Sequence, residues 1–241
     1  MEKAMKKIGL IGGMSWESSI EYYRIINETV RDRLGGLHSA ESVMFSVDFA
    51  EIETLQMAGK WDESGEILAR AAASLQAAGA DCVVLCTNTM HKVADAITAA
   101  ISIPFIHIAD PTAEAIKAAG ISRIALLGTD FTMSQDFYKG RLVEQHGLDV
   151  MVPNDADRAT VHRIIYEELV VGEIKPESKQ AYLEIIGRMV AAGAQGVILG
   201  CTEIGLLVKA GDCAVPVFDT TLIHAQAAVD FALGDWVREC K

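Results

Sequence analysis

The sequence lacks three features that would assign it to a common functional class. It has no long run of Lys and Arg, and its formal net charge is −12, so a nucleic-acid backbone is not an expected partner. It has no apolar stretch of 18 residues, which a membrane-spanning helix needs. Residues 1–7 lead into a strand pattern instead of a signal-peptide core. We therefore expect a cytoplasmic protein that binds neither nucleic acid nor membrane.

Cysteine is present, but it lacks the spacing of a metal site or a disulfide framework. The five cysteines are odd in number and include no CxxC pair, which argues against a structural zinc site and against disulfides. Buried thiols usually behave as small hydrophobic groups. We expect Cys82, Cys86 and Cys213 to be inert in this way, and Cys240 to lie at the terminus. Cys201 is the exception because of its place in a repeated pattern.

The same pattern occurs twice along the chain. Residues 77–89 and 191–203 both read as a helix end, a Gly-Ala turn, an apolar strand and a small polar cluster. The strand and glycine turn at 8–15 have a similar counterpart at 124–131. Strands that alternate with helices predict parallel sheets covered on both faces. The fold prediction is therefore α/β, with two pseudo-symmetric halves, residues 1–112 plus 222–241 and residues 113–221.

The repeat places two side chains at equivalent strand ends. In an open parallel sheet, residues just beyond the carboxyl ends of the strands line the binding crevice. Thr87 and Cys201 occupy these points, so a substrate in a cleft between the halves would meet a reactive group on each side. A thiol near a helix N-terminus is expected to have a pKa below its usual value of about 8.5. A Cys-His hydrolase has little support, because His91 lies beside Thr87 and not beside Cys201.

The glycines near the start of the chain allow two interpretations. A strand at 7–11 ends in Gly12 and Gly13 and leads into a helix that runs to about residue 33. A dinucleotide-binding GxGxxG motif starting at Gly9 is excluded, because Ile11 and Met14 stand where it needs glycine. A plain structural turn and a cradle for a substrate carboxylate at the helix N-terminus both remain open.

Five segments together resemble the aspartate/glutamate racemase family, and the resemblance covers essentially the whole chain. They are Gly-Gly-Met-Ser-Trp-Glu-Ser at 12–18, Gly-Gly-Leu-His-Ser-Ala at 35–40, Ser-Val-Asp-Phe at 46–49, Thr-Asn-Thr-Met-His at 87–91 and Gly-Cys-Thr-Glu-Ile at 200–204. The resemblance implies a homodimeric amino-acid racemase that needs neither pyridoxal phosphate nor a metal. Its implied substrate is an acidic amino acid.

The chain departs from the family pattern at one reactive position. The family commonly has cysteine where this chain has Thr87, and the pattern resembles the subgroup of L-aspartate/glutamate-specific racemases with a Thr/Cys pair. Side chains alternate along an extended segment, so Cys86 is expected to point away from the cleft. We therefore expect Cys201 to deprotonate the α-carbon of the L-amino acid and Thr87 to reprotonate the opposite face. Water or His91 would return the proton to Thr87.

The motif positions also imply residues that bind the substrate. The resemblance assigns Asn88, Thr89 and Thr202 to the α-carboxylate, Met14 and Gln56 to the pocket wall, and His38 and Ser39 to the distal carboxylate. Glu203 has two open interpretations: it orients Cys201, or it caps the helix that follows. Two further carboxylates, Asp48 and Asp219, are expected to cap helices instead of taking part in catalysis. The remaining histidines, His107, His146, His162 and His224, are expected to be structural or surface residues.

Two other functions stay open at this level. Maleate isomerases, decarboxylases and hydantoin racemases use reactive groups at the same positions, and likeness of fold does not determine substrate. A two-lobed amino-acid-binding protein, in which Thr87 has abolished catalysis, is the second alternative. The sequence does not distinguish aspartate from glutamate, since one methylene is worth only about 1–3 kcal/mol in a pocket.

Overall fold

The computed structural model describes residues 5–234, which form two compact units. The first unit contains residues 5–86, Lys92–His107 and residues 224–234. The second contains Thr87–His91 and Ile108–Ile223. Each unit has its own four-stranded parallel sheet, as the alternation of strands and helices predicts. In the described part of the chain, no helix is long and apolar enough to cross a membrane.

The first unit is built on a parallel sheet with strand order β2-β1-β3-β4. Every residue of β1 and β3 is buried, as expected for central strands of a sheet covered on both faces. The strands are β1 (Ile8–Gly12), β2 (Ser42–Ser46), β3 (Cys82–Leu85) and β4 (Phe105–Ile106). The helices are α1 (Trp16–Leu34), α2 (Phe49–Met57), α3 (Trp61–Ala77) and α4 (Ala94–Ala99).

The second unit has the corresponding order, β6-β5-β7-β8. Its strands are β5 (Arg123–Gly128), β6 (Asp149–Met151), β7 (Val197–Gly200) and β8 (Val217–Asp219). Its helices are α5 (Ala109–Ala118), α6 (Asp130–Ser134), α7 (Asp136–Glu144), α8 (Asp155–Glu167), α9 (Pro176–Ala191), α10 (Ile204–Leu207) and the start of α11 (Thr220–Leu233). Short 3-10 turns cover Thr89–Val93, Leu169–Val171 and Ala210–Asp212.

The sheet of the second unit is covered by apolar side chains on both faces. Leu126 pairs with Ile198 and Leu127 with Leu199 in the parallel register of β5 and β7. The first pair belongs to one apolar cluster and the second pair to another, because successive residues of a strand point to opposite faces. This two-sided burial fixes the register of the strands, since a shift by one residue would exchange the two faces.

Four cysteines lie in the described residues and all are free thiols, while Cys240 lies outside them. Cys82 and Cys86 are fully buried in the apolar core of the first unit. Burial raises the pKa of Cys82 to about 12 and also raises the pKa of Cys86. Both thiols are therefore uncharged and packed among hydrophobic side chains, as expected for structural cysteines.

Two of the histidines that were expected to be structural or surface residues form hydrogen bonds within the two units. His224 donates from Nε2 to the carbonyl oxygen of Ile106 at 2.7 Å, and its Nδ1 lies 2.8 Å from the hydroxyl of Tyr22. In the second unit, Asp110 accepts hydrogen bonds from Arg141 Nε at 2.6 Å and Nη2 at 2.8 Å, and its Oδ1 lies 3.1 Å from His146 Nε2. The expectation that His224 and His146 are structural is thus confirmed.

Side-chain hydrogen bonds and a glycine turn mark the ends of two helices. α2 begins at Phe49, and a carboxylate oxygen of Asp48, the residue before the helix, accepts from the N–H of Ala50. In the second unit, α8 ends at Glu167, and a 3-10 turn follows over Leu169–Val171. The break occurs at Glu168, whose buried carboxylate accepts a hydrogen bond from Ser178 at 2.5 Å. Gly172 then ends the turn in the left-handed region, at φ 78°.

The two units divide the chain differently from the predicted halves. Residues 87–91 and 108–112 group with the second unit, whereas the sequence division placed them with the first. Contacts made by the short segment explain its grouping, because Asn88 and Thr89 form side-chain hydrogen bonds with Thr220 and Thr129 of the second unit. Thr87 and Cys201 consequently belong to one compact unit.

Candidate active site

Polar side chains gather beyond the carboxyl ends of the strands in the second unit. Thr129 follows β5, and Cys201 follows β7. The segment 87–91 joins them: Thr89 Oγ1 lies 3.0 Å from Thr129 Oγ1, and Asn88 Nδ2 donates to Thr220 Oγ1 at 3.0 Å. The structure therefore brings the predicted residues Thr87, Asn88 and Thr89 to the sheet edge that also carries Cys201.

Two glycines allow the strands at this edge to lie side by side. Gly128 and Gly200 are register partners at the ends of β5 and β7. A Cβ atom added to Gly128 would lie 2.6 Å from the carbonyl oxygen of Gly200, and one added to Gly200 would lie 2.7 Å from Leu126 Cδ1 and 2.9 Å from the carbonyl oxygen of Leu127. No side chain fits at either position without moving a neighbour, so the glycines set the local strand geometry immediately before Cys201.

The thiol of Cys201 is buried and hydrogen-bonded to a carboxylate. Its side chain is 8% exposed, and Sγ donates to Glu203 Oε2 at 2.9 Å. The same oxygen accepts from Thr202 Oγ1 at 2.8 Å. Glu203 thus orients Cys201, which answers the question that the sequence left open. It immediately precedes the short helix α10, and its side chain makes no capping hydrogen bond there.

The environment of Cys201 favours the neutral thiol. Burial, followed by the negative charge of Glu203 and the hydrogen bond to it, raises the pKa of Cys201 well above its usual value. Backbone N–H groups of Glu203 and Thr202 act in the opposite direction but do not offset this. The expectation of a lowered thiol pKa is therefore wrong. The following helix has only four residues, and an adjacent carboxylate opposes any stabilisation of the thiolate.

Thr87 is held through its backbone by His91. The Nε2 of His91 accepts from the N–H of Ile108 at 3.2 Å, which leaves Nδ1 as the protonated nitrogen that donates to the carbonyl oxygen of Thr87 at 2.8 Å. Both ring nitrogens are thus bound to backbone groups. This arrangement does not support the expected proton relay from His91 to the Thr87 hydroxyl. Within residues 5–234 the hydroxyl of Thr87, on a side chain 7% exposed, makes no hydrogen bond.

Asn88 has one unsatisfied polar atom in a buried position. The residue is 2% exposed, and its Nδ2 donates to Thr220 Oγ1. The Thr220 hydroxyl in turn donates to the carbonyl oxygen of Leu199 at 2.8 Å. Asn88 Oδ1 is buried and has no hydrogen-bond partner among the described residues. The unsatisfied atom of the Asn88 side chain is thus an acceptor, whereas the sequence-based assignment to the α-carboxylate needs a donor.

The predicted residues outside this cluster all belong to the first unit. Met14 and Gln56 are buried there. His38 and Ser39 are exposed in the loop between α1 and β2, and their assignment to a distal carboxylate stays a prediction.

Asp219 caps α11, because its Oδ1 accepts from the N–H groups of Thr221 at 2.9 Å and Leu222 at 3.2 Å. The capping predictions for Asp48 and Asp219 are therefore confirmed. No group of three or more His, Cys, Asp or Glu side chains in residues 5–234 is placed to hold a metal ion.

Three threonines of the cluster were not singled out from the sequence as site residues. Thr129 Oγ1 lies 3.1 Å from Thr132 Oγ1, so the two extend the hydroxyl contact made by Thr89. Thr220 connects Asn88 to β7. The position of Thr129 directly after a strand is the same signal that marked Thr87 and Cys201. For Thr220 the sequence indicated only a position at the start of a helix. Its hydrogen-bond partners, Asn88 and Leu199, lie 132 and 21 residues away in the chain, so no local pattern indicated its place in the cluster.

Comparisons with known proteins give a consistent result. A family model described as Asp/Glu/hydantoin racemase matches residues 11–228. The chain is 59% identical to a Yersinia pestis protein described as a candidate Asp/Glu racemase, with a TM-score of 0.89 and coverage of 95% of this chain and 100% of that one. An aspartate racemase homologue from Pyrococcus horikoshii is 38% identical, with a TM-score of 0.82 and coverage of 95% and 99%. The broad-specificity amino-acid racemase RacX of Bacillus subtilis is 22% identical over 171 residues, which are 70% of this chain and 72% of RacX.

Proposed function

The chain belongs to the Asp/Glu/hydantoin racemase family, and we propose that it racemises L-aspartate, L-glutamate or both without pyridoxal phosphate. Racemisation at carbon needs one group that removes the α-proton and another that returns a proton to the opposite face. Cys201 and Thr87 are the proposed pair. The observation that carries the proposal is the hydrogen bond from the Cys201 thiol to Glu203, in the compact unit that also holds Thr87, Asn88 and Thr89.

The first step is proton transfer within the Cys201–Glu203 pair. The resting thiol is protonated, as its raised pKa indicates, so it must lose its proton before it acts as a base. Glu203 Oε2, 2.9 Å from Sγ, is placed to accept that proton. The thiolate then removes the α-proton of the L-amino acid and becomes a thiol again. The electron pair left on the α-carbon delocalises into the α-carboxylate.

The second step returns a proton from the other side. Thr87 gives its hydroxyl proton to the α-carbon while it takes one from water, which yields the D-amino acid and hydroxide. The hydroxide is neutralised through solvent by the proton that Glu203 holds, so the carboxylate is regenerated and all protons balance. Water is the proposed source because the ring nitrogens of His91 bind the backbone of Thr87 and Ile108.

The other polar side chains of the cluster are proposed to bind the charged groups of the substrate and of the intermediate. Hydroxyl groups of Thr89 and Thr129 lie together at the sheet edge, and preorganised donors of this kind stabilise negative charge that develops on the α-carboxylate. Asn88 offers the buried acceptor Oδ1, which matches an N–H of the substrate ammonium group. The hydroxyl proton of Thr202 is engaged with Glu203, so Thr202 supports the carboxylate acceptor.

A thiol and a hydroxyl are unequal partners, and this predicts directionality. The aliphatic hydroxyl of Thr87 is a far weaker acid than a thiol and is almost never an alkoxide near neutral pH. It is therefore protonated and has a proton to give to the strongly basic carbanion, whereas the alkoxide that would remove a proton from the D-amino acid is almost never present. We expect kcat for the L-enantiomer to exceed kcat for the D-enantiomer, with a correspondingly higher KM for the L-enantiomer, because the two enantiomers are equal in free energy and kcat/KM is the same in both directions.

The decisive experiment is α-proton exchange in heavy water without added pyridoxal phosphate. L- and D-aspartate and L- and D-glutamate are incubated with the protein, and deuterium at the α-carbon is followed together with chirality. The expected result is deuterated D-product from an L-substrate, with slower reaction from the D side. Ligand binding without α-exchange would identify an amino-acid-binding protein, and faster turnover from the D-enantiomers would contradict the assigned roles of Cys201 and Thr87.

A further inference from the structure

We infer that Thr220 is a positioning residue that determines which atom of Asn88 faces the substrate, and thereby makes the site select ligands with a hydrogen-bond donor on the α-carbon. The inference rests on the proposed function, because it assumes that an acidic amino acid occupies the cluster around Asn88. Thr220 lies at the start of α11 and is fully buried.

The direction of the hydrogen bonds follows from what each group is able to do. The carbonyl oxygen of Leu199 only accepts, and it lies 2.8 Å from Thr220 Oγ1, so the single hydroxyl proton of Thr220 points to it. Thr220 Oγ1 must then act as the acceptor toward Asn88, 3.0 Å away. Asn88 therefore presents its NH2 group to Thr220. The reverse orientation would place two oxygen lone pairs against each other.

This orientation leaves Asn88 Oδ1 as a buried acceptor without a partner. An unsatisfied buried acceptor costs about 1–3 kcal/mol, and a ligand that donates to it recovers that free energy. The α-ammonium group of an amino acid is such a donor. Succinate has the same two carboxylates as aspartate but no donor on its carbon chain, so it would leave Oδ1 unsatisfied.

Thr220 also links this acceptor to the strand that carries the reactive thiol. Leu199 is on β7, two residues before Cys201, so the Leu199–Thr220–Asn88 hydrogen bonds tie the segment after Thr87 to that strand. A threonine with a merely structural role would change stability and would weaken all ligands equally. A positioning role predicts instead a change in selectivity between ligands that do and do not carry the donor.

The test compares Thr220→Val, which keeps the side-chain shape but removes both hydrogen bonds, with Thr220→Ser, which retains them. Calorimetric dissociation constants for L-aspartate and succinate are measured, so that the result does not depend on turnover. The wild-type protein is expected to prefer L-aspartate by at least about 10-fold, which corresponds to about 1.4 kcal/mol. Thr220→Val is expected to lose most of that preference and Thr220→Ser to restore it.

Thr112→Val is the matched control, since Thr112 is also fully buried and donates to a backbone carbonyl, that of Ile108. It should lower thermal stability and leave the ratio of the two dissociation constants unchanged. Equal binding of succinate and L-aspartate by the wild-type protein would overturn the inference even if Thr220→Val does not fold. An unchanged ratio in a folded Thr220→Val would also overturn it. A protein that binds L-aspartate selectively but exchanges no α-proton would contradict the proposed function alone.

Discussion

The thiol of Cys201 and the carboxylate of Glu203 are two residues apart in sequence and 2.9 Å apart in space, with sulfur as the donor. Burial and this carboxylate raise the pKa of Cys201 well above its usual value, which favours the neutral thiol. In the proposed mechanism, the same carboxylate accepts the thiol proton before the sulfur acts as a base. The first prediction concerns this pair.

Glu203→Gln is expected to lower the pKa of Cys201 and to slow racemisation. Loss of the negative charge removes one cause of the raised thiol pKa, so thiolate absorbance in the ultraviolet should develop at lower pH than in the wild-type protein. Loss of the proton acceptor should reduce kcat by about 10²–10⁴-fold. Glu177→Gln, which changes an exposed carboxylate in the first turn of α9, is the control. If Glu203→Gln changes neither the titration of the Cys201 thiol nor kcat, the proposed proton transfer is excluded.

Cys201→Ala is expected to abolish turnover while preserving affinity. The substitution removes the base but none of the groups assigned to substrate binding, so L-aspartate should bind within a few-fold of the wild-type constant. Turnover should fall by at least about 10²-fold. Chirality measurements and calorimetry separate the two effects. Cys213→Ala, at a half-buried thiol of the same unit, should leave both quantities unchanged, and comparable losses in the two variants would argue against a special role for Cys201.

Thr87→Cys is expected to make the reaction more symmetric. A thiol has a usual pKa of about 8.5, so a cysteine at this position should remove the α-proton of a D-amino acid far more readily than threonine does. The ratio of kcat for the D-enantiomer to kcat for the L-enantiomer should rise by at least about 10-fold, because a thiol forms a thiolate base far more readily than a hydroxyl forms an alkoxide. Thr87→Ser keeps a hydroxyl and should keep the L preference. If Thr87→Cys and Thr87→Ser show the same ratio, residue 87 does not act on the D face.

Asp110→Asn is expected to destabilise the protein in a pH-dependent way. Burial raises the pKa of Asp110, but hydrogen bonds from Arg141 and His146 outweigh this and lower it overall. A carboxyl group whose pKa is lower in the folded state stabilises the fold at pH values above its pKa in the unfolded state. This stabilisation is lost as the pH falls through the pKa of the folded state. The loss should be about 2–3 kcal/mol near neutrality and should shrink below about pH 4. Denaturant unfolding at several pH values measures it.

The exposed ion pairs around Arg24 supply the contrast for this experiment. Arg24 bonds to Glu21 and Glu28 on the surface of α1, where screening by solvent leaves such pairs little net effect. Arg24→Ala should therefore change stability much less than Asp110→Asn. A loss as large for Arg24→Ala would show that the contribution of Asp110 does not depend on its burial.

Gly200→Ala is expected to disturb the strand that precedes Cys201. The added Cβ would meet Leu126 and the backbone oxygen of Leu127, and overpacking of this kind costs about 1–3 kcal/mol. The resulting shift should also reduce kcat, since Cys201 is the next residue. Gly187→Ala is the matched control, because it lies in α9 with open space around it and should stabilise the helix by about 0.5–1 kcal/mol. Equal stability of the two variants would contradict the packing argument.

Much of the fold was predictable because its signals are local. The apolar run at 82–85 between a glycine turn and a polar cluster predicts β3 with its observed bounds, and Gly79 adopts the positive φ of 84° expected after a helix. The repeated glycine turns likewise predict two sheets with corresponding strand orders. Each of these features depends on residues that are neighbours in the chain.

The parts of the site that escaped prediction depend on residues far apart in sequence. The partner of Asn88 lies 132 residues away, and no local pattern specifies that contact. The pKa of Cys201 was predicted in the wrong direction because the helix N-terminus was visible in the sequence, whereas the depth of burial and the position of the Glu203 side chain were not. Residue identity and the repeat pointed to Thr87 and Cys201 as candidates, but the electrostatics around Cys201 required the folded structure.

The burial and protonation of Cys201 have a consequence for handling the protein. Thiolates, and not thiols, react rapidly with peroxides and alkylating agents. A neutral sulfur held against a carboxylate and largely closed to solvent should therefore oxidise slowly in air. Electrophiles aimed at this sulfur should likewise react slowly with the resting protein.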